Sequence, residues 1–283
     1  MYFEENSNII SFSQNDIIKF RKITLDVLEK ATHIDNEEDG GIGTLAEKQM
    51  HAIIKKFICD DESKHEIKIH GSHGYVGSEN ETKNRKFVAD ILDGNTIFEI
   101  QTGTFRPLAD KIKWILDNTT YNIVLVHPIP EVLYVSYIND DGSISGRKKS
   151  PASKKISSLL AEIYYLREVA QSDRLKIIGL MIEADSYKKK QVSKNRRRVK
   201  TRKYELIPST LRSAYVFSCK DDYKMFLPDT LPEIFTTPMF SKETKIRGID
   251  AYSSVKALCS IGLIEECGMV GRAKAYRQNS YQE

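Results

Sequence analysis

The sequence predicts an α/β protein with a mixed sheet flanked by helices, followed by a small C-terminal domain of different character. Runs at 121–127 (YNIVLVH) and 175–182 (LKIIGLMI) are almost wholly apolar, which indicates strands buried on both faces. Helical patterns alternate with these strands and with a hairpin, in the order strand, hairpin, helix, strand, helix, strand. That order is typical of a sheet covered by helices on both faces.

Composition bounds the class of protein. Charged residues make up 29% of the 283 residues and hydrophobic residues 40%, as in ordinary soluble globular proteins. No apolar run approaches the ~20 residues of a membrane span, and the first residues lack the basic segment of a signal peptide. We therefore expect a cytoplasmic protein without a membrane partner. The four cysteines show no CxxC spacing, which argues against a zinc or disulfide framework.

The N-terminal part predicts a helix over residues 15–31 and an acidic linker at 35–39, ending in two glycines. This helix packs either on the main domain or on a second subunit, so a homodimer is one of two open arrangements. The predicted domains are 1–40 (helix and linker), 41–228 (main domain) and 229–283 (C-terminal domain).

Residues 87–101 (FVADILDGNTIFEIQ) predict a β-hairpin, because β-branched and apolar residues flank a turn signal. A two-residue loop at Gly94-Asn95 places Asp90 directly across from Glu99. A loop one residue earlier places the two carboxylates diagonally, but still on one face. Either register brings them together.

Opposed like charges destabilise a sheet. A hard divalent cation would remove that cost, since Mg²⁺ is usually held by one or two carboxylates together with waters and phosphate oxygens. The alternative is an edge hairpin with a solvated acidic face.

Asp90, eight intervening residues and then Glu99-Ile100-Gln101 resemble the signature of the PD-(D/E)xK nuclease superfamily, which has the restriction-endonuclease-like fold. The sequence departs from that signature at two places. Val88-Ala89 replaces its proline, and Gln101 stands where lysine is usual.

The resemblance implies a metal-dependent nuclease site. Asp90, Glu99, the Ile100 carbonyl and Glu47 would hold Mg²⁺ or Mn²⁺, and Gln101 would orient the attacking water in place of the usual lysine. Glu47 also has a purely structural explanation, because Thr44-x-x-Glu47 forms a capping box at the start of a helix.

A helix predicted over 105–117 follows the hairpin. In some members of the superfamily the lysine is displaced to such a helix, so Lys111 and Lys113 are candidate substitutes. The alternative for each is a solvated helix face.

Residues 188–203 hold six lysines, four arginines and no acidic residue. Such runs are usually solvated loops, and plain solubility is the alternative explanation here. Ten like charges repel one another, however, and phosphate neutralisation is the favoured reason for the run. A smaller basic group lies at 147–149 and 154–155. The predicted contacts within the run are Lys188, Lys189, Lys190, Lys194, Arg196, Arg197 and Arg198.

The segment 231–278 predicts two short helices and a glycine-turned hairpin, and resembles a winged helix-turn-helix. Such a domain would place its second helix and its wing on double-stranded DNA. The predicted contacts are Arg247, Tyr252, Ser253 and Lys256 on the helix and Arg272, Lys274 and Arg277 on the wing.

Together these patterns predict a Mg²⁺-dependent DNA endonuclease, with restriction-like or phage-defence cleavage as the natural setting. The alternatives are a catalytically inactive DNA-binding regulator and a nuclease that acts on RNA.

Overall fold

The computed structural model of the chain describes residues 8–34, 42–69, 87–139, 143–191 and 200–279. Within these ranges, side chains are described except at 30–34, 42–48, 190–191 and 200–205. Predicted features outside this description are the linker at 35–39, the side chains of Glu47 and Lys190, and Lys194, Arg196, Arg197 and Arg198.

A large mixed sheet runs through the described residues. Its strands are β1 (Ile9–Ser11), β2 (His65–Ile69), β3 (Phe87–Asp93), β4 (Thr96–Ile100), β5 (Asn122–Ile138), β6 (Lys148–Lys149), β7 (Leu175–Gln191) and β8 (Lys200–Phe217). The strand order is β1-β8-β7-β5-β4-β3-β2, and β6 pairs with β5. Strand β4 is parallel to β5, whereas β3 is antiparallel to both β2 and β4.

Helices flank this sheet, so the predicted α/β class is confirmed. They are α1 (Gln14–Ile34), α2 (Ile42–Ile58), α3 (Ala109–Asn118) and α4 (Ser158–Ile163). A 3₁₀ turn at Arg106–Leu108 precedes α3. The sequence pattern of residues 156–170 predicts one longer helix. That prediction is wrong in length, because α4 passes into a second 3₁₀ turn at Tyr164–Leu166.

Strand β5 corrects a second prediction. The prolines at 128 and 130 predict a turn between one strand at 121–127 and another at 132–138, but β5 continues through both prolines. Its ladder with β4 ends at Val126, and its ladder with β6 begins at Tyr134. Because backbone groups alternate along a strand, the amide positions of both prolines point toward the edge of β5 that pairs with β4 and β6. They fall in the gap between the two ladders, where a missing N–H costs no ladder hydrogen bond.

The sequence suggested that the basic run at 188–203 is a loop, but the structure differs at both ends of the run. Strand β7 continues to Gln191 and β8 begins at Lys200, so both ends of the run lie in strands. Strand pairing here overrides the low β propensity of lysine.

The chain forms two compact units. The first comprises Met1–Ser63, His127–Lys155 and Gly179–Tyr215, and the second comprises Lys64–Val126, Ile156–Ile178 and Val216–Glu283. The predicted domain boundaries after residues 40 and 228 stay a prediction.

Aromatic contacts help to hold each unit together. In the first unit, α1 packs on α2 with the rings of Phe20 and Phe57 5.3 Å apart in an edge-on arrangement. In the second unit, α3 lies against β3, where the rings of Phe87 and Trp114 are 5.2 Å apart.

The C-terminal elements follow the predicted order of helix, turn, helix and hairpin. They are β9 (Ile234–Thr236), α5 (Thr237–Thr244), α6 (Gly248–Ile261), β10 (Ile264–Val270) and β11 (Ala273–Gln278). The described strands form a small sheet of order β10-β11-β9. Gly262 ends α6 with φ of 80°, the left-handed conformation that favours glycine after a helix.

Candidate functional site

The hairpin of β3 and β4 sets the geometry of the candidate site. Gly94 has φ of 58°, the left-handed conformation that glycine supplies at the first position of a two-residue hairpin turn. Ile91 pairs with Phe98, so the next position along the ladder puts Asp90 across from Glu99. This confirms the register with the loop at Gly94-Asn95.

Glu99 is buried in the interior of the sheet. It lies on β4 between β3 and β5, opposite Leu125 of the parallel neighbour, and is 3% exposed. Burial, the largest cause, and the nearby charge of Asp90 together raise the pKa of Glu99 from 4.5 to about 7, although Lys111 opposes both. The carboxylate therefore titrates near neutral pH.

Lys111 of α3 reaches this carboxylate. Its ammonium donates a hydrogen bond to Glu99 Oε2 at 2.6 Å and another to the carbonyl of Val88 at 2.5 Å. Glu99 Oε1 also lies 2.6 Å from the ammonium, but without hydrogen-bonding geometry. Among the described residues, that buried oxygen has no hydrogen-bond partner.

Asp90 is tied to the backbone of β4, because its Oδ2 accepts the N–H of Ile100 at 2.7 Å. The predicted role of the Ile100 carbonyl as a metal ligand stays a prediction.

Helix α3 is fixed at the end away from Lys111. The guanidinium of Arg174 donates to the carbonyls of Thr119 at 2.7 Å and Tyr121 at 3.2 Å, and also to that of Leu116. A cation favourably satisfies the unpaired carbonyls at a helix C-terminus. This contact holds the helix that presents Lys111.

The loop after β4 is held by Gln101 and Glu162. Gln101 Nε2 donates to the carbonyl of Thr104 at 2.7 Å. Glu162 Oε2, on α4, accepts the Thr104 hydroxyl at 2.8 Å and the N–H of Phe105 at 2.9 Å. Sequence reasoning missed Glu162, because nothing in the local pattern of α4 distinguishes this carboxylate from a solvated one.

The two helix lysines differ. Lys113 pairs with Asp117 at 3.4 Å and Glu168 at 3.6 Å, away from the carboxylates of the hairpin. Of the two candidate substitutes, Lys111 alone contacts Glu99.

The residues present fit a divalent cation only in part. Two facing carboxylates and a buried oxygen without a hydrogen bond are suitable ligands for Mg²⁺ or Mn²⁺, provided that waters or phosphate oxygens complete the shell. Within the described side chains, no group of three or more His, Cys, Asp or Glu residues is placed to bind a metal. The ammonium of Lys111 would have to shift from Glu99 or share it.

The predicted nucleic-acid contacts are only partly brought together. Lys188 and Lys189 lie near the end of β7, where Lys189 is exposed. On α6, Tyr252 is exposed, whereas Lys256 donates to Glu266 at 3.2 Å.

Acidic neighbours occupy the basic residues of the predicted wing. Lys274 also pairs with Glu266, at 2.8 Å, and Arg277 pairs with Glu265 at 2.5 Å. The hydrogen bonds from Lys274 and then Lys256 lower the pKa of Glu266.

Two basic residues and one serine complete the predicted DNA-binding surface. Arg247 and Arg272 are exposed and form no ion pair with a described residue, and Ser253 is half-buried beside Tyr252.

A helix long and apolar enough to cross a membrane is absent from the described part of the chain.

The comparisons with known proteins identify a family without a named activity. The family model called "Domain of unknown function (DUF8091)" matches residues 72–218, about half of the chain, including Asp90, Glu99 and Lys111. An uncharacterized protein of Treponema pallidum (strain Nichols) is 24% identical over 242 residues, which cover 84% of this chain and 87% of that protein. No solved structure matches. On the evidence of the family match, the chain belongs to the DUF8091 family.

Proposed function

We propose that the protein is a metal-dependent DNA endonuclease of the PD-(D/E)xK type, with a restriction-endonuclease-like main domain. The observation that carries the proposal is the buried Glu99 with Asp90 across the hairpin and Lys111 on its carboxylate. A strongly shifted pKa beside named charged partners marks a candidate functional site.

In this proposal Asp90 and Glu99 hold Mg²⁺ or Mn²⁺, with the Ile100 carbonyl and Glu47 as further predicted ligands. A bound cation of this kind activates water and stabilises the charge that develops on phosphate. Deprotonation of Glu99, with its pKa of about 7, prepares the site for the cation.

Lys111 takes the place of the signature lysine in this proposal. Its ammonium would shift from Glu99 toward a phosphate oxygen or the attacking water, where a positive charge stabilises the developing negative charge. Gln101 was predicted to orient the water. Its bond to the Thr104 carbonyl favours a role in shaping the loop instead.

The C-terminal elements would act as a winged helix that holds duplex DNA. The predicted contacts include two neutral residues, Tyr252 and Ser253, and two arginines, Arg247 and Arg272, that form no ion pair with described residues. By contrast, Lys256 and Lys274 share Glu266. DNA phosphate would have to compete with that carboxylate for both lysines.

The ion pair of Lys111 with Glu99 also supports a second candidate, a DNA-binding regulator without catalysis. A lysine that neutralises the buried carboxylate removes the need for a cation. Cleavage of RNA is a further outcome that the same experiment can detect.

The test is incubation of the purified protein with supercoiled plasmid, and separately with structured RNA, with and without Mg²⁺ or Mn²⁺. We expect metal-dependent nicking of the plasmid that Asp90→Ala abolishes, a loss larger than the ~10–100-fold typical of residues outside the metal's own ligands.

Asp93→Ala is the matched control for Asp90→Ala. It removes an aspartate from the same strand. The carboxylate of Asp93 lies 2.7 Å from the ammonium of Lys64 and does not take part in the site around Glu99. Nicking at equal rates by wild type and Asp90→Ala would falsify the active-site assignment, and binding without cleavage by wild type would favour the regulator.

A further inference from the structure

A basic segment lies along one edge of the first unit. Residues 143–155, which we call the edge segment, contain five basic residues and no acidic one. The basic residues are Arg147, Lys148, Lys149, Lys154 and Lys155. The two lysines of β6 lie within it, opposite Val135 and Tyr134 of β5.

The backbone of the edge segment is fixed on β5 at several points. The N–H of Ser145 donates to the carbonyl of Tyr137 at 2.8 Å, and the N–H of Ser150 donates to that of Leu133 at 2.7 Å. Further along, the N–H of Lys154 donates to the carbonyl of Pro130 at 3.0 Å. The segment therefore presents its side chains from a backbone that is hydrogen-bonded to β5, which lowers the entropic cost of binding.

The four lysines of the edge segment are exposed, and none forms an ion pair with a described residue. Three carboxylates of the same unit are already neutralised by arginines. Arg147 donates from Nε and Nη2 to the two carboxylate oxygens of Asp185, and Arg212 binds both Glu131 and Glu183. The positive charge of the lysines is therefore left uncancelled by these carboxylates.

Arg147 has a structural role instead. Its guanidinium lies 3.3 Å from the ring centroid of Tyr134, and its hydrogen bond to Asp185 raises its pKa. Stacking and a carboxylate partner together fix this arginine in place.

We propose that the edge segment is a docking surface for the phosphate backbone of duplex DNA, contacted through Lys148, Lys149, Lys154 and Lys155 without regard to base sequence. This inference rests on the proposed function and adds a contact surface to it. Phosphate contacts by lysine release condensed counterions, which makes them the main source of sequence-independent affinity. The predicted wing differs, because its Lys274 and Arg277 already have carboxylate partners.

The test compares duplex binding by wild type and by the double variant Lys148→Ala/Lys149→Ala at salt concentrations from 50 to 300 mM, without divalent metal. Loss of two phosphate contacts should reduce the slope of log affinity against log salt by about 1.8, and the affinity at 100 mM salt by roughly tenfold or more. The result should be the same for duplexes of unrelated sequence.

Lys22→Ala/Lys68→Ala is the matched control. It removes the same charge from two exposed positions on α1 and β2, and it should leave the slope as in wild type. An equal loss in this control would mean that net charge, rather than the edge segment, governs binding, and would overturn the inference.

Other outcomes separate this inference from the proposed function. If wild type cleaves plasmid and binds duplex with a steep salt dependence, but the Lys148→Ala/Lys149→Ala slope is unchanged, the inference falls and the proposed function stands. If wild type neither binds nor cleaves, both fall. If the variant loses binding to phosphatidylserine vesicles and keeps binding to DNA, the surface serves a membrane and the inference is overturned.

Discussion

Two sites in the molecule each combine two carboxylates with one cation, yet they differ in burial. In the second unit, Glu99 and Asp90 meet Lys111, and the side chains of Glu99 and Lys111 are only 4% and 15% exposed. In the first unit, Arg212 joins Glu131 at 2.5 Å and Glu183 at 2.8 Å, but Arg212 is 42% exposed and the two glutamates 43% and 22%.

The difference teaches that composition alone does not mark a candidate catalytic site. The hydrogen bonds with Glu131 and then Glu183 raise the pKa of Arg212, which was already charged at any working pH. Burial instead brings the pKa of Glu99 to about 7, where a carboxylate can change its protonation state under physiological conditions. Water screens the exposed cluster, whereas the buried one keeps most of its electrostatic energy.

The largest expected effect on stability is that of Lys111→Met. Removing the cation leaves two opposed carboxylates, one of them buried, and breaking a buried pair typically costs about 3–5 kcal/mol. We expect a loss of about 3 kcal/mol at pH 8 and a smaller loss at pH 6, because Glu99 without Lys111 takes up a proton more readily. Urea unfolding at the two pH values measures both.

Lys113→Met is the control for this prediction, since Lys113 lies on the same helix but is exposed. It should change the free energy of unfolding by less than about 1 kcal/mol. Equal losses in the two variants would mean that burial does not distinguish Lys111.

The next effect is the pH dependence of stability. Because folding raises the pKa of Glu99 from 4.5 to about 7, the folded state binds this proton more tightly than the unfolded state. The contribution of Glu99 is therefore favourable below pH 4.5 and is lost as the pH rises to about 7, a change of about 3 kcal/mol.

Glu99→Gln removes this titration. Its stability relative to wild type should improve by about 3 kcal/mol between pH 4.5 and pH 8. Unfolding curves across this range give the difference directly. A difference that stays constant with pH would contradict the raised pKa.

A smaller effect is expected for Glu162→Gln. The carboxylate of Glu162, on α4, accepts hydrogen bonds from the Thr104 hydroxyl and the Phe105 N–H. These bonds hold the loop that precedes α3, the helix that carries Lys111. Glutamine keeps the shape but weakens two charge-assisted bonds, and we expect a loss of about 1–2 kcal/mol. A lower cleavage rate with unchanged metal affinity would mean that Glu162 positions Lys111 through the loop. An unchanged free energy of unfolding would mean that Glu162 does not support the site.

The smallest effect should be that of Arg212→Gln. Exposed ion pairs contribute roughly 0–1 kcal/mol each, and salt screens them. The variant should unfold within about 1 kcal/mol of wild type in dilute buffer and with still less difference at 1 M salt. A loss comparable to that of Lys111→Met would erase the contrast between the two clusters.

Much of this arrangement could be predicted from residue patterns. The turn residues and the alternation of the strands were sufficient to place Asp90 and Glu99 on one face of the hairpin, although the sequence left two registers open. The structure has the register in which they lie directly opposite each other. Gly262 likewise predicts the end of a helix over 249–261, and α6 ends at Ile261. These are local signals, carried by residues close together in the chain.

Other features depend on contacts between residues far apart in the sequence. The continuous course of β5 follows from a change of partner strand, which no pattern around Pro128 and Pro130 encodes. Lys111 and Lys113 look alike in sequence, and only the packing of α3 places one of them on Glu99. Glu162, on α4, was missed because its partners are 57 and 58 residues away.

The most direct test of the central claim, that Asp90 and Glu99 form a cation site, is the affinity for Mn²⁺ measured by electron paramagnetic resonance as a function of pH. A metal ligand must be deprotonated, so the affinity of wild type should rise by close to tenfold per pH unit below the Glu99 pKa of about 7 and level off above it. Asp93→Ala should behave as wild type does, and Glu99→Gln should bind weakly at every pH. Equal, pH-independent binding by wild type and Glu99→Gln would contradict the account.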